Sequence, residues 1–181
     1  MRDERDFAEL YRRRYPAIYA YGVRRVGPES AREVAAEVFL VLWRRRIELA
    51  EDEELPWLYG TARKVTANLL RSEKRRSALT QRVSSVIAVG VAGQLDPMGA
   101  VDAVLDVRAA LGRLSPKDQE ALLLVEWEGV DLAAGARITG CSPNTFKVRV
   151  HRARRKLGEL LKDQAAPAVG VLAVRKGEGD D

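Results

Sequence analysis

The stretch Ser142–Leu157, SPNTFKVRVHRARRKL, decides how this chain is read. Ser142 is an N-cap residue and Pro143 suits the first position of a helix, where its missing N–H costs nothing. Phe146, Val150, Ala153 and Leu157 recur at spacings of 4, 3 and 4, so one face of that helix is apolar and buried. Asn144, Val148, His151, Arg152 and Arg155 fall on the opposite face, with Lys147 and Arg149 at its flanks. From Ser142 to Lys162 there are seven Lys/Arg against a single acid, Glu159. A solvated surface helix needs no such arrangement. A helix that enters a DNA groove does, with polar residues near its N-terminus for base edges and cations for phosphates.

The residues just before it complete a motif. Asp131 can cap a short helix carrying Leu132, Ala136 and Ile138. Gly140 can close that helix in the left-handed conformation. Two short helices joined by a tight glycine turn make a helix-turn-helix. Further upstream, Ser115-Pro116 starts a helix that ends near Gly129. Val101, Val104, Leu105, Leu111 and Leu114 mark another, in a unit beginning near Met98.

The N-terminal half is also helical by its periodicity. Phe7, Leu10 and Tyr11 start an amphipathic segment that Pro16 should kink or restart. Ile18, Tyr19, Val23 and Val26 continue it up to a turn at Gly27-Pro28. Val34, Val38, Val41 and Leu42 line the next helix. Glu48–Leu55, ELAEDEEL, reads as a polar loop, with Pro56 opening a helix striped by Leu58, Ala62, Val65 and Leu69. That helix runs into a basic end: Arg63, Lys64, Arg71, Lys74, Arg75 and Arg76 against Glu73. Trp57 and Tyr59 lie upstream of these cations. Aromatics beside a cationic helix suit stacking on unpaired bases, although burial in the core is the more common fate for either alone.

Composition narrows the class. In 181 residues, 46% hydrophobic, Lys+Arg number 31 and Asp+Glu 26, for a net charge of +5, and the pI is about 9.5. One cysteine, Cys141, excludes an internal disulfide framework and fits a reducing compartment. The first residues lack the apolar core of a signal peptide, and no apolar run approaches the roughly 20 residues of a membrane span. A cytoplasmic protein without membrane insertion is expected. His151 sits among phosphate-seeking cations rather than in a catalytic or metal-binding cluster. The acidic run Glu51–Glu54 lacks the glycine punctuation of a calcium loop. No enzyme, cofactor or metal site is expected.

FAELYRRRYPAIYAYGVRRVG, AREVAAEVFLVLWRRR and WLYGTARKVTANLLRSEKRR together resemble region 2 of the extracytoplasmic-function sigma factors of bacterial RNA polymerase. ALGRLSPKDQEALLLVEWEGVDLAAGARITGCSPNTFKVRVHRARRKL resembles their region 4. The resemblance implies an all-α protein of two helical domains: a region 2-like domain at 1–78, a linker at 79–97 and a region 4-like helix-turn-helix domain at 98–162. Residues 163–181, Ala/Gly/Val-rich with an acidic end, read as a disordered tail. The resemblance also implies promoter-specific initiation with core RNA polymerase. Glu33, Glu37, Val38 and Trp43 would engage the clamp helices of the largest subunit. Trp57, Tyr59, Thr61, Arg63, Lys64, Asn68 and Arg71 would melt the −10 element, with a flipped base held by the Glu48–Glu54 loop. Pro143, Asn144, Thr145, Lys147, Val148, Arg149, His151, Arg152 and Arg155 would read the −35 element. An anti-sigma factor is the expected regulator.

Three places depart from the family pattern. Ala36 stands where a glutamine is usual, Lys64 and Asn68 alter the usual A-R-N run, and Gly135 interrupts E-I-A. A helix-turn-helix regulator, or a sigma-like interaction protein without promoter melting, would share much of this sequence.

Overall fold

A computed structural model describes residues 4–80 and 101–165, and within these ranges all regular structure is helical. Helix α1 spans Glu4–Arg45 and changes direction once, at Gly27 (φ 80°, ψ 167°). That conformation is open to glycine and closed to most side chains, so the turn expected at Gly27-Pro28 stands. Pro16 behaves otherwise: helix continues through it, where a kink or restart was expected. Pro16 is exposed, and water can take up the carbonyl that its ring leaves unbonded.

Helix α2 (Glu51–Thr80) starts within the stretch expected to be a polar loop. Glu51, Asp52, Glu53 and Glu54 form its first turn, where carboxylates complement the positive end of the helix dipole. The amide groups of Glu53 and Glu54 both donate to the Ala50 carbonyl, at 2.9 and 3.1 Å. Pro56 is therefore inside the helix and not at its first turn.

The C-terminal unit holds α3 (Val101–Gly112), α4 (Pro116–Leu122), a π-helical turn at Leu123–Trp127, α5 (Leu132–Thr139) and α6 (Pro143–Ala165). The expected caps form. Ser115 Oγ accepts from the Asp118 amide at 3.2 Å, and Asp131 Oδ1 from the Ala134 amide at 2.7 Å. Gly140 closes α5 at φ 68°, ψ 41°. Of the expected linker, only Leu79 and Thr80 are described, as the end of α2; its remainder lies outside the described residues, as does the expected tail beyond Ala165.

One apolar core runs through both units. It joins Ile18, Val34, Phe39 and Leu58 of α1 and α2 to Leu124, Ile138 and Phe146 of the C-terminal unit. Helix α2 packs on α5. A second core, with Leu111, Leu114, Leu122 and Ala153, holds α3, α4 and α6 together.

Candidate nucleic-acid interface

Helix α6 is built as its sequence requires. Ser142 Oγ accepts from the Thr145 amide at 3.1 Å and pairs with the Thr145 hydroxyl at 2.8 Å. Phe146, Val150 and Ala153 are buried. The opposite face is open to solvent at Pro143, Asn144, Thr145, Lys147, Val148, His151, Arg152 and Arg155. Val148 is 57% exposed, the most open of the large apolar side chains among the described residues.

Two of the arginines are tied into the unit. Arg149 is half-buried, its Nη1 3.8 Å from the Cys141 sulfur. Arg152 Nη2 bonds Asp118 Oδ1 of α4 at 2.5 Å while its side chain stays 54% exposed. Burial alone would raise the Asp118 carboxyl. Hydrogen bonds from Arg152 and Ser115, with the charges of Arg152 and Lys156, outweigh burial and hold it below its ordinary value. Arg154 is committed elsewhere, to Glu126 at 2.6 Å.

Gly135 has a packing role that its sequence context does not reveal. A Cβ there would lie 2.3 and 2.4 Å from two atoms of the Phe146 ring. Glycine lets α6 come close enough to seat Phe146 against α5. The departure from E-I-A thus accommodates a bulky aromatic at the helix-turn-helix core.

On α2 the expected residues divide. Lys64, Asn68 and Arg71 are exposed, and Thr61, Arg63 and Trp57 are half-buried. Arg71 hydrogen-bonds Asn68 one turn earlier. Tyr59 is a correction: it is 3% exposed and its ring lies 5.5 Å from that of Tyr21. Burial pushes its hydroxyl pKa up. Tyr59 belongs to the core because it follows Leu58 on the inward side of the helix. The Glu48–Glu54 loop is a second correction. Its acids Glu51–Glu54 are helical while Glu48 precedes the helix, and Glu54 is buried with Oε1 2.6 Å from Arg13 Nη2 and Oε2 2.7 Å from Arg14 Nε.

The expected polymerase-facing residues do not form one patch. Glu33 and Glu37 are exposed and line a groove of about 590 Å³ between α1 and α2, with Lys64, Asn68 and Arg75 on its other wall. Val38 is fully buried, contrary to expectation, because it continues the Val34–Leu42 inward stripe. Trp43 lies six residues past Glu37, about 120° around the helix, and packs its ring against Phe7 at 5.0 Å.

A charged cluster that sequence reasoning missed joins the two units. Arg25 Nε bonds Glu120 at 2.8 Å, and its Nη1 bonds Glu128 at 2.7 Å. Arg24 reaches Glu128 at 2.5 Å. The Arg25 guanidinium sits 3.5 Å over the Tyr21 ring, whose hydroxyl lies 3.0 Å from Glu120. Burial works against the Arg25 charge, but Tyr21, Glu120 and Glu128 more than offset it and keep Arg25 protonated. The only hint in the sequence is a pair of adjacent arginines at the end of an amphipathic segment.

A family model described as sigma-70 region 4 matches residues 105–157, the helix-turn-helix and the helices leading into it. The ECF RNA polymerase sigma factor EcfG of Rhodopseudomonas palustris is 42% identical over 78 residues, 41% of this chain. The sigma factor CarQ of Myxococcus xanthus is 27% identical over 157 residues, 86% of this chain and 88% of its own length. The chain is similar to the extracytoplasmic-function sigma factors. The EcfG match spans 43% of that protein, less than half of its length. Among solved structures, the sigma factor RpoE of Bartonella quintana, in complex with the anti-sigma factor NepR, superposes with a TM-score of 0.69. It is 27% identical and covers 87% of this chain and 97% of that one. CnrH, solved with the cytosolic domain of CnrY, shares the fold at a TM-score of 0.63 and 20% identity, over 90% of this chain and 91% of that one. The two helical units of the described residues agree with both. Among the described residues, no helix is long and apolar enough to cross a membrane.

Proposed function

We propose that this chain is a non-catalytic, cytoplasmic initiation factor that binds core RNA polymerase and directs it to specific promoters. One observation carries the reading: the capped helix α6 presents Asn144, Val148, His151, Arg152 and Arg155 to solvent on one face while Phe146 and Val150 anchor the other. That geometry suits a major groove, with polar and apolar side chains toward base edges and arginines toward phosphates. Pro143, Thr145, Lys147 and Arg149 frame the same surface. In this reading α6 reads the −35 element.

The exposed cations of α2 give the N-terminal unit its own polyanion-binding face. Trp57 and Thr61 start that face, and Arg63, Lys64, Asn68 and Arg71 continue it. Together they engage the −10 element, Trp57 supplying a ring for an unpaired base. Glu33, Glu37 and Trp43 remain available to polymerase, on two separate faces. The complex of RpoE with the anti-sigma factor NepR supports a protein regulator of the same class here.

Run-off transcription with purified core polymerase on a library of genomic fragments tests the proposal. Promoter-specific transcripts that require this protein are expected. Their absence at saturating, fully helical protein would instead favour a sigma-like interaction protein.

A further inference from the structure

The cluster of Tyr21, Arg24, Arg25, Glu120 and Glu128 does more than decorate a seam. The two units meet there, and the charges are out of water: the side chains of Arg25 and Glu128 are 6% and 0% exposed. Its geometry depends on the π-helical turn at Leu123–Trp127. Eight residues apart on an α-helix, two side chains point about 80° apart. A π turn absorbs an extra residue, so Glu120 and Glu128 count as about seven apart and nearly eclipse. Both carboxylates can then close on one guanidinium, and they do.

The closed arrangement also covers something. Arg137 and Ile138 of α5 lie across a crevice from Trp57, Gly60, Thr61 and Lys64 of α2. Ile138 is buried in the shared core and Trp57 is half-buried beside it. The first helix of the helix-turn-helix therefore leans on the start of the α2 face. The packing is also imperfect: Arg24 Nε and Arg25 Nη2 are buried without a hydrogen-bond partner. Buried donors without acceptors weaken a closed state relative to one in which water reaches them.

We infer that this buried charge cluster is a latch, holding the helix-turn-helix unit closed over the Trp57–Lys64 face of α2 until its ion pairs part. In the closed chain α6 remains open to duplex DNA, whereas the α2 face is partly covered. Opening exposes Trp57 to unpaired bases, a consequence that rests on the role proposed above for that face. Breaking one partner of a buried pair leaves the other charge uncompensated, so a single substitution should tip the balance.

The full-length chain and its E128Q and R25E variants, compared by small-angle X-ray scattering, circular dichroism and binding to a labelled single-stranded oligothymidine, test the latch. The wild type is expected to be as compact as the closed structure. Both variants are expected to have a larger radius of gyration, unchanged helical content and at least fivefold tighter oligothymidine binding. A wild type already expanded, or two variants as compact as the wild type, would overturn the latch. So would variants that lose helical content, because the cluster would then be part of one indivisible core. Expansion without tighter oligothymidine binding supports the latch and counts against the α2 face as a single-strand site.

Discussion

Val148 is an apolar side chain with no core to join, placed in the middle of a polar face. In a major groove it can touch the C5-methyl of thymine, the apolar group a base edge presents. Val148→Ser should change the preference at one A·T position of the −35 element. Non-specific affinity should barely move, since no phosphate contact is lost. Selection on randomised −35 duplexes for both proteins checks this; identical preferences throughout would leave Val148 an idle surface residue. Gly135 is the opposite case, a residue with no side chain because Phe146 occupies its space. Gly135→Ala improves helix propensity by up to about 1 kcal/mol. The overpacking against a buried ring costs about 1–3 kcal/mol, so net destabilisation is expected. Urea denaturation of Gly135→Ala, alone and with Phe146→Leu, checks it: the second change should recover part of the loss by removing the clash.

At the scale of the element, α6 depends on α4 as much as on its own pattern. Arg152→Ala should flatten the salt dependence of duplex binding, because one phosphate-directed cation is lost. Arg149→Ala should flatten it too, and unchanged slopes would mean that α6 does not lie along the groove as proposed. Arg152→Ala also removes the partner that holds the Asp118 carboxyl below its ordinary value. A carboxyl depressed in the folded state stabilises above its unfolded pKa, about 3.9. That contribution fades as pH falls toward the folded value. Wild-type stability should therefore decline more steeply below about pH 4 than that of Arg152→Ala, as thermal melts across pH 2–7 would reveal. Asp131→Ala, which removes the α5 cap, should cost about 0.5–2 kcal/mol at neutral pH.

For the whole molecule, the shared core and the buried ion pairs predict cohesion between the units. A protease site inserted within residues 81–100 should yield two fragments that co-elute in gel filtration after cleavage. The same fragments carrying Glu128→Gln should separate. Wild-type fragments that separate on their own would show that the linker, not the interface, keeps the units together.

Much of this was legible in the chain. Ser115, Asp131, Gly140 and Ser142 act through their own backbone or the next turn, so caps and turns follow from local sequence. The Phe146/Val150/Ala153 stripe and its basic opposite face follow from helical period alone. The first turn of α2 was legible too, since four acids before an apolar run are a helix-start signal that a loop reading passes over. Other features depend on residues distant in sequence. Tyr59 is core because Tyr21 lies beneath it, and Gly135 is glycine because Phe146 arrives from the next helix. Arg25 is a buried charge because a π turn aligns two glutamates, 95 and 103 residues away in sequence, with it. Period and capping are properties of neighbours along the chain, which a sequence displays. Which exposed-looking residue is covered by which distant one is a property of packing, and only the tertiary structure decided it.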